Sequence, residues 1–111
     1  GDEEQPDTVS SKQHPAVNRK QQRQAEAQQR QLLKPLSDRV RRIESDLESH
    51  RRDLQELERK LADATLYSDP ARKDELTGII QARGDLKPAI ESLEWEWLEA
   101  SEALERAREP E

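Results

Sequence analysis

Residues 61–76 read LADATLYSDPARKDEL, and this stretch decides how the chain folds. Asp69 followed by Pro70 is typical of a helix start, because an aspartate caps the first turn and a proline suits the first helical position. The preceding helix is expected to end near Leu66 or Tyr67. We therefore predict a coiled-coil helix over 35–67, a turn at 68–70 and a second helix over 71–108. A turn this short makes the two helices antiparallel neighbours.

Apolar residues recur on both sides of the turn at alternating intervals of three and four. Such a heptad seam is typical of a coiled coil, and only His50 and Arg83 interrupt it. The sequence therefore predicts an all-α fold, an antiparallel two-helix coiled-coil hairpin preceded by a basic, partly helical N-terminal arm. In the predicted register Leu57 faces Arg83 and Ile43 faces Trp97. The first seam is Leu36, Val40, Ile43, Leu47, His50, Leu54, Leu57, Leu61 and Ala64; the second is Leu76, Ile79, Arg83, Leu86, Ile90, Leu93, Trp97, Ala100, Leu104 and Ala107.

The composition excludes several classes of protein. Of 111 residues, 31% are hydrophobic and 40% are charged, which is too little apolar matter for a thick globular core. No segment approaches the ~20 apolar residues of a membrane span, and no signal peptide is expected, because residues 1–15 are polar and acidic. The complete lack of Met predicts a piece of a longer protein, with Gly1 the remnant of a tag.

No catalytic, cofactor or metal site is expected in this chain. Phosphate-binding glycine motifs are missing, and there is no Cys. The two histidines do not make a zinc site: His14 falls in the predicted linker, and His50 is interpreted as a snorkelling or hydrogen-bonded seam residue. The paired carboxylates lie on solvated helix faces, where nothing would tune their pKa. We predict that this fragment is not an enzyme and holds no cofactor.

Basic charge is concentrated before the hairpin. Residues 1–17 are predicted to be a disordered linker, and residues 18–34 a basic arm with helical propensity that breaks or kinks at Pro35. Residues 12–42 carry nine Lys or Arg against Glu26 and Asp38, on a chain of net charge −6. Such an arm would bind phosphate backbones by counterion release, although a solvated linker that binds nothing is the alternative. The candidate nucleic-acid-binding residues are Arg19, Lys20, Arg23, Arg30, Lys34, Arg41 and Arg42.

Some of these charges have an alternative explanation. The predicted register places Arg39, Arg41 and Arg42 near a glutamate-rich part of the second helix, so that they would pair within the hairpin. The glutamates concerned are Glu96, Glu99 and Glu102.

The aromatic residues are interpreted by their seam positions. Trp97 falls on the seam and is expected in the core. Trp95 faces outward, where it would either pack under the segment before Pro35 or contact a partner. Tyr67 is expected to pack its ring near Leu76 and Ile80 with its hydroxyl in water, rather than act as a contact at the tip. The residues assigned to the tip are Tyr67, Asp69 and Pro70.

Taken together, a Gln/Arg-rich basic run, KPLSDRVRRIESDLE, LADATLYSDPARKDEL and LEWEWLEASEALE resemble the C-terminal coiled-coil domain of ABC-F family ATPases. The YheS-like branch is the nearer type and the Uup-like branch the more distant one. The resemblance covers residues 19 to about 106. The family's Pro-Leu start, Leu-x-Asp-x-x-Leu-Tyr turn and Trp-Leu-Glu fall here on Pro35 and Leu36; Leu61, Asp63, Leu66 and Tyr67; and Trp97, Leu98 and Glu99.

The resemblance implies a cytoplasmic parent protein with two ATP-binding cassettes, using ATP and Mg²⁺, that acts on the ribosome. It implies that this domain binds nucleic acid, either ribosomal RNA or DNA. Hence we predict a nucleic-acid-binding or ribosome-binding appendage, a monomeric hairpin that does not associate with membranes. The alternative is a structural coiled-coil module that binds protein and no nucleic acid.

Overall fold

The computed structural model describes the backbone of residues 4–109 and the side chains of residues 18–109. Helix α1 spans Glu4–Leu61, helix α2 Thr65–Ser68 and helix α3 Lys73–Arg108, with a 3₁₀ turn at Pro70–Arg72. No strand occurs among the described residues. The fold class is confirmed as all-α. The chain divides into two compact units, Gly1–Pro35 and Leu36–Glu111.

The first unit contains the basic arm, and residues 18–34 are helical. The bounds of α1 include Pro35, so the predicted break in the helix does not occur there. The helix continues although proline removes a backbone donor, because the neighbouring Gln, Arg and Leu residues favour helix strongly. The linker predicted over residues 1–17 has no described side chains, and its disorder stays a prediction.

The second unit is the hairpin, in which α1 and α3 pack along the predicted seam. Its core is formed by buried Ile43, Leu47, Ile90 and Ala100. Val40, Leu54 and Leu93 pack against this core. Because each of these residues belongs to one of the two heptad seams, burial of the seams is the main force that holds the helices together.

Polar contacts between the helices confirm the predicted register to within one residue. Glu58 contacts Arg83 at 3.6 Å, beside the predicted Leu57–Arg83 pair. Glu44 accepts a hydrogen bond from Trp97, beside the predicted Ile43–Trp97 pair. The offset of one residue arises because Glu44 and Glu58 lie next to the seam residues Ile43 and Leu57 and not in the seam itself.

The two polar seam residues, His50 and Arg83, each have a buried side-chain nitrogen without a hydrogen-bond partner among the described residues. Nδ1 of His50 is buried and has no hydrogen-bond partner among the described residues. The expectation of a hydrogen-bonded histidine is therefore not met at this atom. Arg83 stays partly exposed and turns its guanidinium toward Glu58. Both residues weaken the middle of the seam relative to an apolar residue there.

Helix α3 also accommodates a proline. Pro88 lies inside the helix, where its missing N–H leaves the carbonyl of Gly84 without the usual partner four residues later. Gly84 has no side chain, and a Cβ atom placed there would meet nothing within 4 Å. The helix continues because Leu86 and Ile90, on either side of Pro88, are held by the seam. None of the helices in the described range has a stretch long and apolar enough to cross a membrane.

Candidate nucleic-acid interface and hairpin tip

The tip of the hairpin is larger than the predicted three-residue turn. Helix α1 ends at Leu61, six residues earlier than expected, and α3 begins at Lys73. The residues between them form the short helix α2 and the 3₁₀ turn. Leu66, in α2, keeps only 1% of its surface exposed and is the most deeply buried large side chain described. Its burial closes the end of the seam.

The last turn of α1 is satisfied without continuing the helix. The carbonyls of Glu58 and Lys60 accept hydrogen bonds from the N–H groups of Ala62 and Asp63, respectively. The carbonyl of Leu61 accepts one from the Tyr67 hydroxyl at 2.7 Å. Carbonyls at a helix end have no partner within the helix, so this hydroxyl acts as a cap.

Tyr67 thus corrects our interpretation of the sequence. Its hydroxyl was expected in water, but it donates to Leu61 instead. The residue remains 58% exposed, and the packing of its ring near Leu76 and Ile80 stays a prediction. The chain folds back at α2, which brings Tyr67 beside the end of α1. The hydrogen bond to the Leu61 carbonyl then holds the side chain in place.

Asp69 and Pro70 occupy the positions predicted for them. The Asp69 carboxylate accepts a hydrogen bond from the N–H of Ala71 at 3.0 Å, and Pro70 is the first residue of the 3₁₀ turn. An aspartate cap followed by proline therefore begins the helical segment that returns along the hairpin, as the sequence indicates. Helix α3 itself begins three residues later than Pro70.

A network of charged side chains around Arg72 joins the two sides of the tip. The Arg72 guanidinium donates to Asp63 at 3.1 Å and to the Thr65 hydroxyl at 2.8 Å. It also donates two hydrogen bonds to Glu75, at 3.0 and 3.1 Å. Asp63 accepts further bonds from the Thr65 N–H and hydroxyl, at 2.9 and 2.8 Å.

Arg72 is not among the residues that the sequence patterns identified. Two local signals could have found it: Asp63 precedes Thr65 at the spacing of an Asx turn, and Arg72 precedes Glu75 at helical spacing. The contact of Arg72 with Asp63, nine residues apart, has no local signal. It depends on how α2 folds against the start of α3.

The network lowers the pKa values of its carboxylates. Hydrogen bonds from Thr65, and then from Arg72, hold the pKa of Asp63 below its ordinary value. Hydrogen bonds from Arg72 lower the pKa of Glu75 in the same way. The same bonds raise the pKa of Arg72. Each shift favours the charged form, so the folded tip is stabilised while the carboxylates are ionised.

We expect the contribution of Asp63 to stability to be lost in acid. An Asp with a depressed folded pKa stabilises the fold above its unfolded value of about 4, and the stabilisation disappears as pH falls through the folded value. Asp63→Asn should therefore melt at a lower temperature than the parent chain at pH 6, and the gap should narrow below pH ~4. Thermal melting followed by circular dichroism across pH 2–7 measures this; the range is chosen from the ordinary Asp pKa.

The control for this experiment is Asp53→Asn, an exposed aspartate with no hydrogen bond within the described part of the chain. It should show no gap that narrows in acid. A gap for Asp63→Asn that stays constant down to pH ~2 would contradict the assigned linkage.

The candidate phosphate-binding residues form a row on the first unit. Arg19, Arg23 and Arg30 are four and seven residues apart, so they share one face of the helix, and Lys34 continues that face. The row extends over about 22 Å at 1.5 Å per residue. Lys20 flanks it. All five side chains are exposed.

Pairing within the chain does not neutralise most of this row. Arg19, Lys20, Arg23 and Arg30 make no ion pair within 4 Å to any described residue. Glu26 lies on the same side of the helix as Arg23 and Arg30 and lowers the local positive charge without binding either of them. The apolar Leu32 lies on the other side of the helix and is exposed.

Arg41 and Arg42, in the hairpin, also lack the predicted partners. Together with Arg39 they were expected to pair with the glutamates of α3, but none of the three makes an ion pair among the described residues. Arg39 and Arg42 only line a shallow groove together with Glu96. The reason is geometric, because the side chains of α1 that do reach α3 are those directly flanking the seam, such as Glu44 and Arg51.

The two tryptophans lie close together in sequence on α3. Trp97 is 37% exposed, so its predicted place in the core is wrong, and its indole N–H donates to Glu44 at 3.2 Å. The indole is pulled to the edge of the seam because its N–H requires a polar partner. Trp95 is 63% exposed, as its outward position predicts.

No group of three or more metal-ligating side chains occurs between residues 18 and 109. The exposed cations of the first unit are the feature whose chemistry suits an anion.

Comparison with known proteins finds the same relative in three strains of one species. The chain is 37% identical over 91 residues to the "Probable ATP-binding protein YheS" of Escherichia coli K12, which covers 82% of this chain. The YheS proteins of two other strains, O157:H7 and O6:H1, match to the same extent. The chain spans 14% of the length of these relatives. No protein-family profile matches the chain, and no solved structure does.

Proposed function

Because this chain is a YheS-like segment belonging with the ABC-F proteins, we propose that it is the nucleic-acid-binding coiled-coil appendage of an ATPase of that type. The relatives are described as ATP-binding, and the Leu-Tyr turn and Trp-Leu-Glu motifs of the sequence agree with that kinship. The cassettes that would bind ATP and Mg²⁺ belong to the remainder of the parent protein. We further propose a cytoplasmic location and the ribosome as the site of action.

One observation supports this proposal above the others: Arg19, Arg23 and Arg30 form a row of exposed cations that make no ion pair with any residue the structure describes. Surface arginines on a helix normally find glutamates three or four residues away, as Arg52 finds Glu48 in the hairpin. Cations that hold no partner among the described residues suit an anionic partner outside the chain. A linear row of this kind fits the regular spacing of phosphates along a nucleic-acid backbone.

The hairpin has a separate part in the proposed function. Its second helix, α3, is acidic. We propose that the hairpin is a stiff spacer of about 50 Å, from the rise of the 36 residues of α3, with the contact to nucleic acid made before Pro35.

A salt titration of binding tests the proposal. The full chain is mixed with fluorescent ribosomal RNA, duplex DNA and a random polyanion such as heparin, and anisotropy is followed as salt increases. If four or five arm cations contact phosphates, the logarithm of the binding constant should fall with the logarithm of salt concentration with a slope of about −4 for duplex DNA. We expect one nucleic acid to bind more tightly than the polyanion.

Two results would count against the proposal. Equal affinity for all three ligands would leave only non-specific electrostatics. Absence of binding at low salt would favour the alternative, a coiled-coil module that interacts with protein alone. That alternative is supported by the exposed tryptophans of α3, Trp95 and Trp97.

A further inference from the structure

The part of α3 that carries both tryptophans is unusually acidic. Residues 91–105 read ESLEWEWLEASEALE, with six glutamates and no Lys or Arg. Only Glu94 and Glu102 form ion pairs among the described residues, with Arg51 at 3.7 Å and Arg106 at 3.9 Å. The surface around the tryptophans therefore has a net negative potential.

Large apolar side chains are exposed within this acidic surface. Trp95 is 63% exposed, Trp97 37% and Leu98 41%, and no other part of the described chain exposes three large apolar residues so close together. A patch of this kind, surrounded by polar groups, is typical of an interaction site. We call these three residues the tryptophan patch.

The tryptophan patch borders a groove between α1 and α3. The groove has a volume of about 680 Å³ and is lined on its apolar side by Leu47, Trp97 and Leu98. Its polar lining includes Glu44, Glu48 and Glu94, together with Arg51 and Arg52, which pair with Glu94 and Glu48. A cavity of this volume accepts one or two large apolar side chains. The bond from Trp97 to Glu44 fixes the indole as one wall of the groove.

The charge around the patch selects the class of partner. Exposed tryptophans on a nucleic-acid-binding protein would ordinarily suggest stacking on bases, but that mode relies on a positively charged groove. Six glutamates repel phosphates and attract cations. We propose that the tryptophan patch and its groove bind a basic amphipathic helix of a partner protein, which places apolar side chains in the groove and Lys or Arg beside the glutamates.

This docking surface is distinct from the cationic row of the first unit in charge and in residues, and it does not rest on the proposed nucleic-acid binding. The two sites would select opposite partners, an anionic polymer and a basic peptide. Tryptophan is enriched among the contact residues of protein interfaces. Trp95, the more exposed of the two tryptophans, and Trp97 would then be such contact residues.

The fluorescence of the two tryptophans tests the proposal without any label. The probe is an amphipathic helical peptide of lysine and leucine, about 14 residues or four turns long, titrated into the full chain. We expect the tryptophan emission to shift to shorter wavelength as the indoles lose water. Oligolysine of the same charge should bind at least tenfold more weakly, because it has no apolar face. A leucine–glutamate peptide should not bind.

Matched variants locate the site. Trp95→Ala with Leu98→Ala removes two exposed side chains and should weaken the peptide at least tenfold, with Trp97 still reporting. Ile80→Ala, another exposed aliphatic residue on α3 outside the patch, should leave the affinity unchanged. Glu91→Gln with Glu99→Gln should weaken binding and reduce its dependence on salt. Circular dichroism confirms that each variant remains helical.

Several results would overturn the proposal. Oligolysine binding as tightly as the amphipathic peptide would reduce the site to unspecific charge attraction. An equal loss of affinity in Ile80→Ala would show that the peptide does not use the patch. A blue shift on adding duplex RNA in place of the peptide would assign the patch to nucleic acid. A concentration-dependent dimer in sedimentation that Trp95→Ala with Leu98→Ala dissociates would identify a second copy of the chain as the occupant.

Discussion

Replacing Leu66 by alanine is expected to lower the free energy of unfolding of the hairpin by about 2–4 kcal/mol. Leu66 retains only 1% of its surface and lies at the point where α2 packs on α3. Truncating a buried leucine removes its transfer free energy and leaves a cavity that the surrounding structure fills only in part. Since domains of this size have only a few kcal/mol in reserve, the variant would lose much of its stability.

Urea unfolding of the full chain, followed by circular dichroism, measures this loss. Ile80→Ala is the matched control, because it also removes an aliphatic side chain near the tip but from an exposed position, and we expect it to cost under about 0.5 kcal/mol. If the two variants unfolded at similar urea concentrations, Leu66 would not be the residue that closes the seam.

Neutralising the cationic row is expected to reduce nucleic-acid binding at least 100-fold at about 0.1 M salt. The variant carries Arg19→Gln, Lys20→Gln, Arg23→Gln and Arg30→Gln. Each phosphate contact contributes about 0.9 to the salt slope, so four lost contacts should also flatten that slope by roughly 3–4. Glutamine keeps a high helix propensity, and these side chains contact no described residue through an ion pair, so the helical content should not change.

The control removes the same charge from the hairpin. It carries Arg52→Gln, Arg59→Gln, Lys87→Gln and Arg106→Gln, all at exposed positions, of which three are paired with glutamates. If binding depends on the row and not on net charge, the control should retain most of its affinity. Equal losses in the two variants would mean that only total charge matters. Full affinity in the first variant would refute the proposed interface.

The hairpin could be predicted because its determinants are local and periodic. Heptad spacing identifies the buried face of each helix, and Asp69-Pro70 identifies where the second one starts to form. The end of α1 could not be read in this way. Ala62 and Ala64 favour helix. The chain nevertheless turns early, because the Asp63 carboxylate accepts a hydrogen bond from the Thr65 N–H and the Tyr67 hydroxyl donates one to the Leu61 carbonyl.

The candidate sites divide along the same line. The cationic row follows from spacing on one helix and was named residue by residue. The exposed state of Trp97 depends on a partner 53 positions away, Glu44, and no periodicity reports such a contact. The same holds for Arg41 and Arg42, whose pairing was inferred from their distance along the seam, although only side chains directly beside the seam span the gap between helices.

The antiparallel seam also makes the hairpin adjustable in length. The chain leaves near Val40 and returns near Ala100, and both residues belong to one packed cluster at the open end of the hairpin. Deleting one heptad from α1 and one from α3 would draw the tip back by about 10.5 Å while the entry and exit points stay side by side and the remaining layers keep their partners. The length of the hairpin can therefore change in steps of one heptad without moving the points at which the chain enters and leaves it.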